Sequence, residues 1–203
     1  RISLEQIPFN TDTLRQAYAQ GFFPMPEPET NEIMWFHPDP RAVIPLDGFH
    51  VSRSLRKTMN NVPFDVTFNK DFMGIMNACS NRPDTWINDQ FKKVYNQLHL
   101  EGDAHSVEVW FEGALVGGLY GVSIGGGFFA ESKFHTKTDA SKVALFHLIK
   151  KMNEQGMSLL EVQFMTDHLK TLGAIHISRE QYISKLMVAV NLTGHRFRRK
   201  GLS

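Results

Sequence analysis

Apolar and polar side chains alternate along four segments in the middle of the chain, with the period of two that is typical of half-buried β-strands. Turns that contain glycine separate the last three segments, and short turns of this kind favour antiparallel neighbours. The four segments are 64–69, 105–111, 114–124 and 128–134. The pattern therefore predicts an antiparallel meander at the centre of the fold.

Other segments repeat apolar side chains every three or four residues, which is the period of an amphipathic helix. The longest of them follows Asp139, a predicted N-cap, and ends at Gly156, with Leu145, Leu148 and Met152 on one face. Further helices are predicted over 12–20, 52–61, 71–80, 89–102, 167–174 and 178–191. Strands and helices in this order predict an α+β fold in which helices flank a mixed sheet.

A second apolar strand, 158–164, follows the long helix and carries Glu161 and Gln163 on one face and Val162 on the other. Glu131 lies on the strand before that helix, and Lys133 is expected on the same face as Glu131. A polar group that is buried without a partner costs about 1–3 kcal/mol, so each of these side chains needs a partner or a cleft. Either they are satisfied core groups or they form a site.

The N-terminal part of the chain has a different character. Prolines between Phe22 and Thr30 exclude a regular helix, and the two prolines in the turn from His37 to Pro40 favour an extended connection. We therefore expect a small N-terminal lobe and linker over residues 1–39, and a catalytic domain over residues 40–203 that ends in a basic tail.

Composition narrows the function classes. With 22 basic and 21 acidic residues, contact with nucleic acid must come from a local patch. The single cysteine, Cys79, excludes an internal disulfide, and no apolar run approaches the roughly 20 residues that span a bilayer. A cytoplasmic protein without contact to a membrane is the simplest expectation, and the histidines show no familiar zinc spacing.

Three further features are candidates for binding. Arg53, Arg56 and Lys57 lie on adjacent turns of a predicted helix, and both a solvated helix face and a phosphate-binding patch fit them. Trp86 follows a proline turn, where it either covers the core or offers a stacking platform for a base. Cys79 lies among apolar residues of a helix and is interpreted as a core residue.

Many of these stretches, taken in order, resemble one family. They include YAQGFFPM, WFHPDPRAVIPL, TWI, HSVEVW, LVGGLYGV, AESKFH, TDASKVAL and EVQ. Together, from about Leu14 to Leu186, they are similar to the bacterial leucyl/phenylalanyl-tRNA protein transferases. The resemblance implies a fold like that of the GCN5-related acetyltransferases in the C-terminal part, and no cofactor or metal.

The same resemblance implies a reaction and its partners. The enzyme would transfer leucine, phenylalanine or methionine from aminoacyl-tRNA to the N-terminus of an acceptor protein that begins with Arg or Lys. The product would then be marked for degradation by the N-end rule, so the degradation machinery is an indirect partner. A monomer is expected.

Site residues follow from the resemblance position by position. It implies that Glu131, Glu161 and Gln163 are catalytic and that Trp86 binds the terminal adenosine. The cluster of Arg53, Arg56 and Lys57 would face the tRNA. The pocket for the transferred side chain would be formed by Leu119, Leu145, Leu148, Met152 and Leu160.

Two departures from the family pattern concern the acceptor. Met25 stands where the family often has tryptophan, and Lys133 stands where it has methionine. Because Lys133 adds a positive charge, acceptor choice is expected to shift from Arg and Lys toward Asp and Glu. The alternatives to transfer are an acetyl-CoA-dependent N-acetyltransferase and a non-catalytic tRNA-binding module, since a fold alone does not fix a function.

Overall fold

A seven-stranded sheet forms the centre of the computed structural model, which describes residues 7–82, 85–193 and 197. The strand order is β4-β5-β6-β7-β8-β3-β9, and a separate two-stranded sheet pairs β1 with β2. The strands are β1 (Phe23–Pro26), β2 (Ile33–Phe36), β3 (Arg41–Val43), β4 (Asp65–Phe68), β5 (Ala104–Phe111), β6 (Ala114–Ile124), β7 (Gly127–His135), β8 (Leu159–Gln163) and β9 (Ile175–Ile177). The predicted α+β class and the antiparallel meander, β4 to β7, are confirmed.

Helices flank the sheet, and most begin where a polar side chain accepts a hydrogen bond from the first turn. Asn10, Ser52, Asp71, Asn88, Thr166 and Ser178 cap in this way, and Ser178 forms a capping box with Gln181. The helices are α1 (Thr11–Ala19), α2 (Arg53–Asn61), α3 (Phe72–Ser80), α4 (Asp89–Leu100), α5 (Ala140–Glu154), α6 (Asp167–Thr171) and α7 (Arg179–Val190).

The start of α5 differs from the prediction. Asp139 occupies the N-cap position with a φ of 68°, but its side chain forms no cap hydrogen bond. It accepts instead from Thr58 Oγ1 at 2.7 Å, which ties α2 to α5. The first turn of α5 also packs closely on β6, because a Cβ at Gly117 would come within 2.5 Å of Ala140 Cβ.

Two separate clusters of buried apolar side chains cover the sheet. We call the first the α5 face, because it holds Leu145, Leu148 and Met152 of α5 together with Leu119 of β6 and Leu160 of β8. The second, the α1 face, holds side chains from α1, α3, α4 and α7, including Leu14, Tyr18, Phe72, Tyr95, Tyr120 and Tyr182. Residues that alternate along a strand therefore alternate between these two clusters.

The sheet opens between its two parallel strands. β7 pairs with β8 only from Gly127 to Phe129, against Leu159 to Glu161. Beyond that point β7 continues with β6, whereas β8 pairs with β3, so the two strands separate. A gap between strands inside a sheet leaves backbone and side chains free to line a cavity.

The N-terminal segment packs on the rest of the described chain through α1, which contacts α4, α7 and β6. The division at residue 39 stays a prediction. Apart from Phe197, the predicted basic tail lies outside the described residues. In the part of the chain that the structure describes, no helix is long and apolar enough to cross a membrane.

Candidate active site

A cavity of about 780 Å³ lies where β7 and β8 separate. Residues of the loop before α4, of β6, of the second half of β7, of α5 and of the end of β8 line it. It contains six of the residues that the sequence assigned to a site, namely Trp86, Leu119, Glu131, Lys133, Leu145 and Gln163. Residues far apart in the sequence therefore meet at the gap in the sheet.

Glu131 lies at the centre of a hydrogen-bonded chain. Gln163 Nε2 donates to Glu131 Oε2 at 2.7 Å, across the gap between β7 and β8. Tyr18 Oη donates to the other carboxylate oxygen, and its own oxygen lies 2.7 Å from Tyr95 Oη. All four side chains are buried. Both carboxylate oxygens therefore have fixed partners, and Glu131 is among the residues that line the cavity.

Burial changes the acidity of this carboxylate. Desolvation raises the pKa of Glu131 to about 8, because removal from water disfavours the charged form. The hydrogen bonds from Tyr18 and Gln163 act in the opposite direction, while the nearby charge of Glu161 adds to the increase. A carboxyl group with this pKa exchanges a proton near neutral pH.

A β-bulge places Glu131. Tyr120 pairs with Ser132, but the next residue of β6, Gly121, pairs with Ala130, so Glu131 is an extra residue of β7. A Cβ at Gly121 would come within 2.3 Å of the Phe129 carbonyl oxygen, so this close approach requires glycine. Bulges of this kind redirect side chains and are common beside active sites.

The bulge also corrects the prediction that Lys133 shares a face with Glu131. An extra residue reverses the alternation of side chains beyond it. Lys133 pairs with Leu119, which belongs to the α5 face, whereas Glu131 contacts Tyr18 of the α1 face. Both residues line the cavity, but from different walls.

Gln163 ends β8 and has a φ of 63°, a left-handed conformation that non-glycine residues rarely adopt. Its backbone pairs with Ala42 of β3. Because such conformations cost of order 1–3 kcal/mol and persist where the surroundings impose them, they cluster at functional sites. The amide of Gln163 is thereby held against Glu131.

Glu161 lies on the same strand but does not line the cavity. Its carboxylate accepts from Arg41 Nη2 at 2.6 Å, and both side chains are 1% exposed. Arg41 also donates to the carbonyl oxygen of Gly21 at 2.7 Å and stacks on the ring of Tyr182 at 4.0 Å. Burial raises the pKa of Glu161, and the positive charge of Arg41 opposes this increase. The residue is thus part of a buried ion pair behind the cavity.

The predicted aminoacyl pocket is divided by the structure. Leu119 and Leu145 line the cavity. Leu148, Met152 and Leu160 are buried in the α5 face and are not among the residues that line it. They lie in the same apolar cluster as the two lining residues.

Trp86 and the basic cluster lie in different places. Trp86 lines the cavity, is half-buried and meets Phe91 edge-on, with ring centroids 5.4 Å apart. Arg53, Arg56 and Lys57 are exposed on α2, outside the cavity, and the Thr58 bond to Asp139 joins their helix to the start of α5.

The remaining candidate residues, Met25 and Cys79, do not line the cavity. Met25 pairs with Met34 in the small sheet, also outside the cavity. Cys79 is buried, and desolvation raises the pKa of its thiol to about 12, which makes it a poor nucleophile. Within residues 7–82, 85–193 and 197, no cluster of three or more His, Cys, Asp and Glu side chains is arranged to hold a metal ion.

Sequence reasoning missed Tyr18, Tyr95 and Arg41. Both tyrosines lie on the apolar faces of amphipathic helices, where the hydrophobic pattern indicates only core. A buried tyrosine needs a hydrogen-bond partner for its hydroxyl group. That requirement was the one feature of the sequence that could have indicated a polar contact at Tyr18 and Tyr95. Arg41 follows Pro40 in an extended segment, so nothing local indicates that it is buried.

The arrangement favours a reaction in which a proton is removed from a nucleophile beside an activated substrate. Glu131 supplies a proton acceptor with a pKa near neutrality, and Gln163 and Tyr18 hold it in place. Leu119 and Leu145 supply an apolar wall, and Trp86 supplies a flat ring at the cavity. No covalent nucleophile is needed for this chemistry.

Comparisons with known proteins find one family along most of the chain. A family described as leucyl/phenylalanyl-tRNA protein transferase matches residues 43–187, and the N-terminal domain of the same family matches residues 8–39. The chain is 48% identical to a leucyl/phenylalanyl-tRNA protein transferase of Roseobacter denitrificans, over 88% of this chain and 85% of the relative. It is 45% identical to one of Ruegeria, over 91% and 89%. Among solved structures, FemX is similar in fold, with a TM-score of 0.52, 14% identity and coverage of 83% and 66% of the two chains.

Proposed function

This chain belongs to the leucyl/phenylalanyl-tRNA protein transferase family, and on that premise we propose that the cavity between β7 and β8 is its active site. Members of the family transfer an aminoacyl group from tRNA to the N-terminus of a protein. The observation that carries the proposal is the hydrogen bond between Gln163 and Glu131 across the gap in the sheet. The two alternatives, acetyl transfer from acetyl-CoA and tRNA binding without catalysis, have no comparable support.

The chemistry requires little activation. In aminoacyl-tRNA the amino acid is already an ester, so the site has to align the acceptor amine with the ester carbonyl. Such alignment is worth about 7–11 kcal/mol of barrier. The amine nitrogen forms a bond to the carbonyl carbon, the ester C–O bond breaks, and the proton lost by the amine ends on the ribose oxygen of the tRNA.

Glu131 is proposed to accept the proton of the amine and return it to the leaving oxygen. An N-terminal amine has a pKa of about 7.7–8.0, which matches the value of about 8 for Glu131. Proton transfer between groups of similar pKa is efficient in both directions. Gln163 and Tyr18 would keep the carboxylate oriented while its charge changes.

The other site residues are proposed to bind the substrate. Leu119 and Leu145 would contact the aminoacyl side chain, and Leu148, Met152 and Leu160 would support them from the core. Trp86 would stack on the terminal adenosine, a contact worth about 1–3 kcal/mol. Arg53, Arg56 and Lys57 would contact tRNA phosphates outside the cavity.

Glu161 is proposed to act as a positioning residue. Its ion pair with Arg41 fixes β8 two residues before Gln163, and it contributes charge near Glu131 without lining the cavity. This differs from a direct catalytic role, because it needs no contact with the substrate.

For the acceptor we propose an N-terminal Arg or Lys. The expected shift toward Asp or Glu depended on Lys133 lying beside Glu131 on one face, and the bulge separates them. Met25 lies outside the cavity, so its effect on acceptor choice stays a prediction.

The proposal is tested with Gln163→Ala. Loss of the amide removes the donor that orients Glu131, so single-turnover transfer of leucine from tRNA to an Arg-peptide should fall about 100- to 10,000-fold. The affinity for aminoacyl-tRNA should stay within twofold. Peptides that begin with Lys, Asp and Glu, assayed in parallel, measure acceptor choice.

Gln90→Ala, at an exposed position of α4, is the matched control and should transfer at the rate of the unmodified protein. Full transfer by Gln163→Ala would contradict the assignment of this site, and equal loss of tRNA binding would show a binding role instead.

A further inference from the structure

Arg82 lies at the rim of the cavity, close to Trp86 in the sequence and in space. Both residues line the cavity, and Arg82 is exposed whereas Trp86 is half-buried. Thr85 N donates to the carbonyl oxygen of Arg82 at 3.2 Å. A backbone bond of this kind, between residues three apart, holds their Cα atoms within about 7 Å of each other. Arg82 and Trp86 therefore line the cavity from neighbouring positions.

The guanidinium of Arg82 points inward, across the end of α3. Its Nη2 donates to Ser132 Oγ of β7 at 3.5 Å. Desolvation raises the pKa values of Cys79 in α3 and Tyr120 in β6, and the positive charge of Arg82 opposes both increases. Ser132 directly follows Glu131 in β7. The charge of Arg82 thus lies near the proposed reaction centre, although part of the residue is in contact with solvent.

The charges that line the cavity favour an anionic ligand. Arg82 and Lys133 line it, and because desolvation lowers the pKa of Lys133 only to about 8, its ammonium form dominates at pH 7. Glu131 is the one acidic side chain among the described residues that line the cavity. With a pKa of about 8, it is mostly uncharged at pH 7. A cleft lined by one sign of charge concentrates ligands of the opposite sign.

The proposed donor brings one phosphate to this rim. In aminoacyl-tRNA the amino acid is esterified to the ribose of the terminal adenosine, and the rest of the tRNA is joined to that ribose through its 5′ phosphate. If the ester lies inside the cavity and the adenine lies on Trp86, the polynucleotide leaves the cavity beside Trp86. Arg82 is the exposed cation at this point. Its planar fork of N–H groups matches the oxygens of a phosphate.

We propose that Arg82 binds the phosphate that links the terminal adenosine to the rest of the tRNA. This inference rests on the proposed function and adds a phosphate subsite to the same cavity, separate from the contacts proposed for α2. The contact would hold the ribose beside Trp86 and thereby place the ester near Glu131. Lys133 is less suited to this phosphate, because it pairs with Leu119 on the wall proposed for the aminoacyl side chain.

Two stable donor analogues that differ by one phosphate test the subsite. Each carries leucine in amide linkage on 3′-amino-3′-deoxyadenosine, and one also carries a 5′ methyl phosphate, which has the single negative charge of the tRNA linkage. Isothermal titration calorimetry measures the dissociation constant of each. In the unmodified protein the phosphate should tighten binding about 10- to 100-fold, as expected for a hydrogen bond between charged groups. In Arg82→Met this advantage should fall below about threefold.

Three further variants make the result specific. Arg82→Gln is a second neutral variant with the same expected result, and it carries the test if thermal unfolding shows that Arg82→Met is not folded. Lys133→Met removes the other positive charge of the cavity wall and should keep the advantage of the phosphate. Lys93→Met removes an exposed cation of α4 outside the cavity and should keep it as well.

The other outcomes overturn the inference. An unchanged advantage of the phosphate in Arg82→Met would show that Arg82 does not contact it. Loss of the advantage in Lys133→Met alone would assign the phosphate to the opposite wall, and equal weakening of both analogues would assign Arg82 to the adenosine or the leucyl group.

Two outcomes separate this inference from the proposed function. If the phosphate gives the unmodified protein no advantage, or if neither analogue binds while leucine is still transferred from tRNA, the subsite is wrong and the proposed function stands. Absence of transfer from leucyl-tRNA to every acceptor peptide would overturn the proposed function, and this inference with it.

Discussion

Glu131 has to be buried to act and is destabilising because it is buried. Its carboxyl group has a pKa of about 8 in the folded protein, against 4.5 in the ordinary case. Between these two values the folded state binds a proton that the unfolded state has lost. The contribution of Glu131 to the free energy of unfolding is therefore highest below about pH 4.5 and falls as the pH rises to about 8.

Glu131→Gln should remove this pH dependence. The neutral amide keeps the shape of the carboxyl group and needs no proton, so the variant should gain stability relative to the unmodified protein as the pH rises. We expect similar stability at pH 5 and an advantage of up to a few kcal/mol at pH 9. Urea unfolding at pH 5, 7 and 9 measures the difference, and transfer should be lost at every pH.

Glu180→Gln, an exposed position on α7, is the control and should show no pH-dependent difference. A constant offset between Glu131→Gln and the unmodified protein would mean that Glu131 is ionised in the fold throughout this range.

Single residues also mark where sequence reasoning stops. Glu131 and Gln163 were predicted because polar side chains are conspicuous in apolar strands. Tyr18, the other hydrogen-bond partner of Glu131, was not predicted. A tyrosine on the apolar face of a helix cannot be distinguished by its spacing from an ordinary core residue. The predicted position of Lys133, on the same face as Glu131, was wrong. Strict alternation along the sequence puts the two residues on one face, but the extra residue of the bulge interrupts the alternation in the sheet.

At the scale of elements, the length of a strand or helix decided whether the sequence pattern could predict it. The long meander strands and α5 have several periods of their pattern, so each was predicted in place. β3 and β9 have three residues each, too few to show a period, and β1 contains two prolines. Yet β3 lies between β8 and β9 and pairs with Gln163, so a short strand that the pattern missed helps to fix the site.

The exposed face of α2 has a testable role in tRNA binding. Each phosphate that a basic side chain contacts contributes about 0.7–0.9 to the slope of log affinity against log salt. If all three contacts are made, the combined change Arg53→Ala, Arg56→Ala and Lys57→Ala should weaken aminoacyl-tRNA binding and reduce this slope by about two to three. Titrations between 50 and 300 mM salt, roughly the range in which such slopes are measured, provide the measurement.

Transfer at saturating tRNA should change little in this variant, because α2 lies outside the cavity. Lys93→Ala with Lys185→Ala, two exposed lysines on α4 and α7, is the matched control. The same loss of slope in the control would mean that binding follows overall charge and not α2.

At the scale of the molecule, Arg41 joins parts of the chain that are distant in sequence. It follows the predicted division at residue 39, and its guanidinium bonds to Gly21 in the N-terminal segment and to Glu161 in β8. Its stacking on Tyr182 adds α7. Tyr18 likewise extends from α1 to Glu131. We therefore propose that residues 7–39 and the remainder of the described chain unfold as one cooperative unit.

A double-mutant cycle on Arg41 and Glu161 tests this connection. Arg41→Met leaves a buried carboxylate without a partner and should cost about 3–5 kcal/mol, whereas Arg41→Met with Glu161→Met replaces the pair by apolar groups and should cost less than the single change. Urea unfolding followed by circular dichroism and by tryptophan fluorescence gives both free energies and shows whether the transitions coincide. Lys185→Met, at an exposed lysine of α7, is the control for lost charge. Additive losses would show that the pair is not coupled, and separate transitions in the unmodified protein would show that the N-terminal segment is an independent unit.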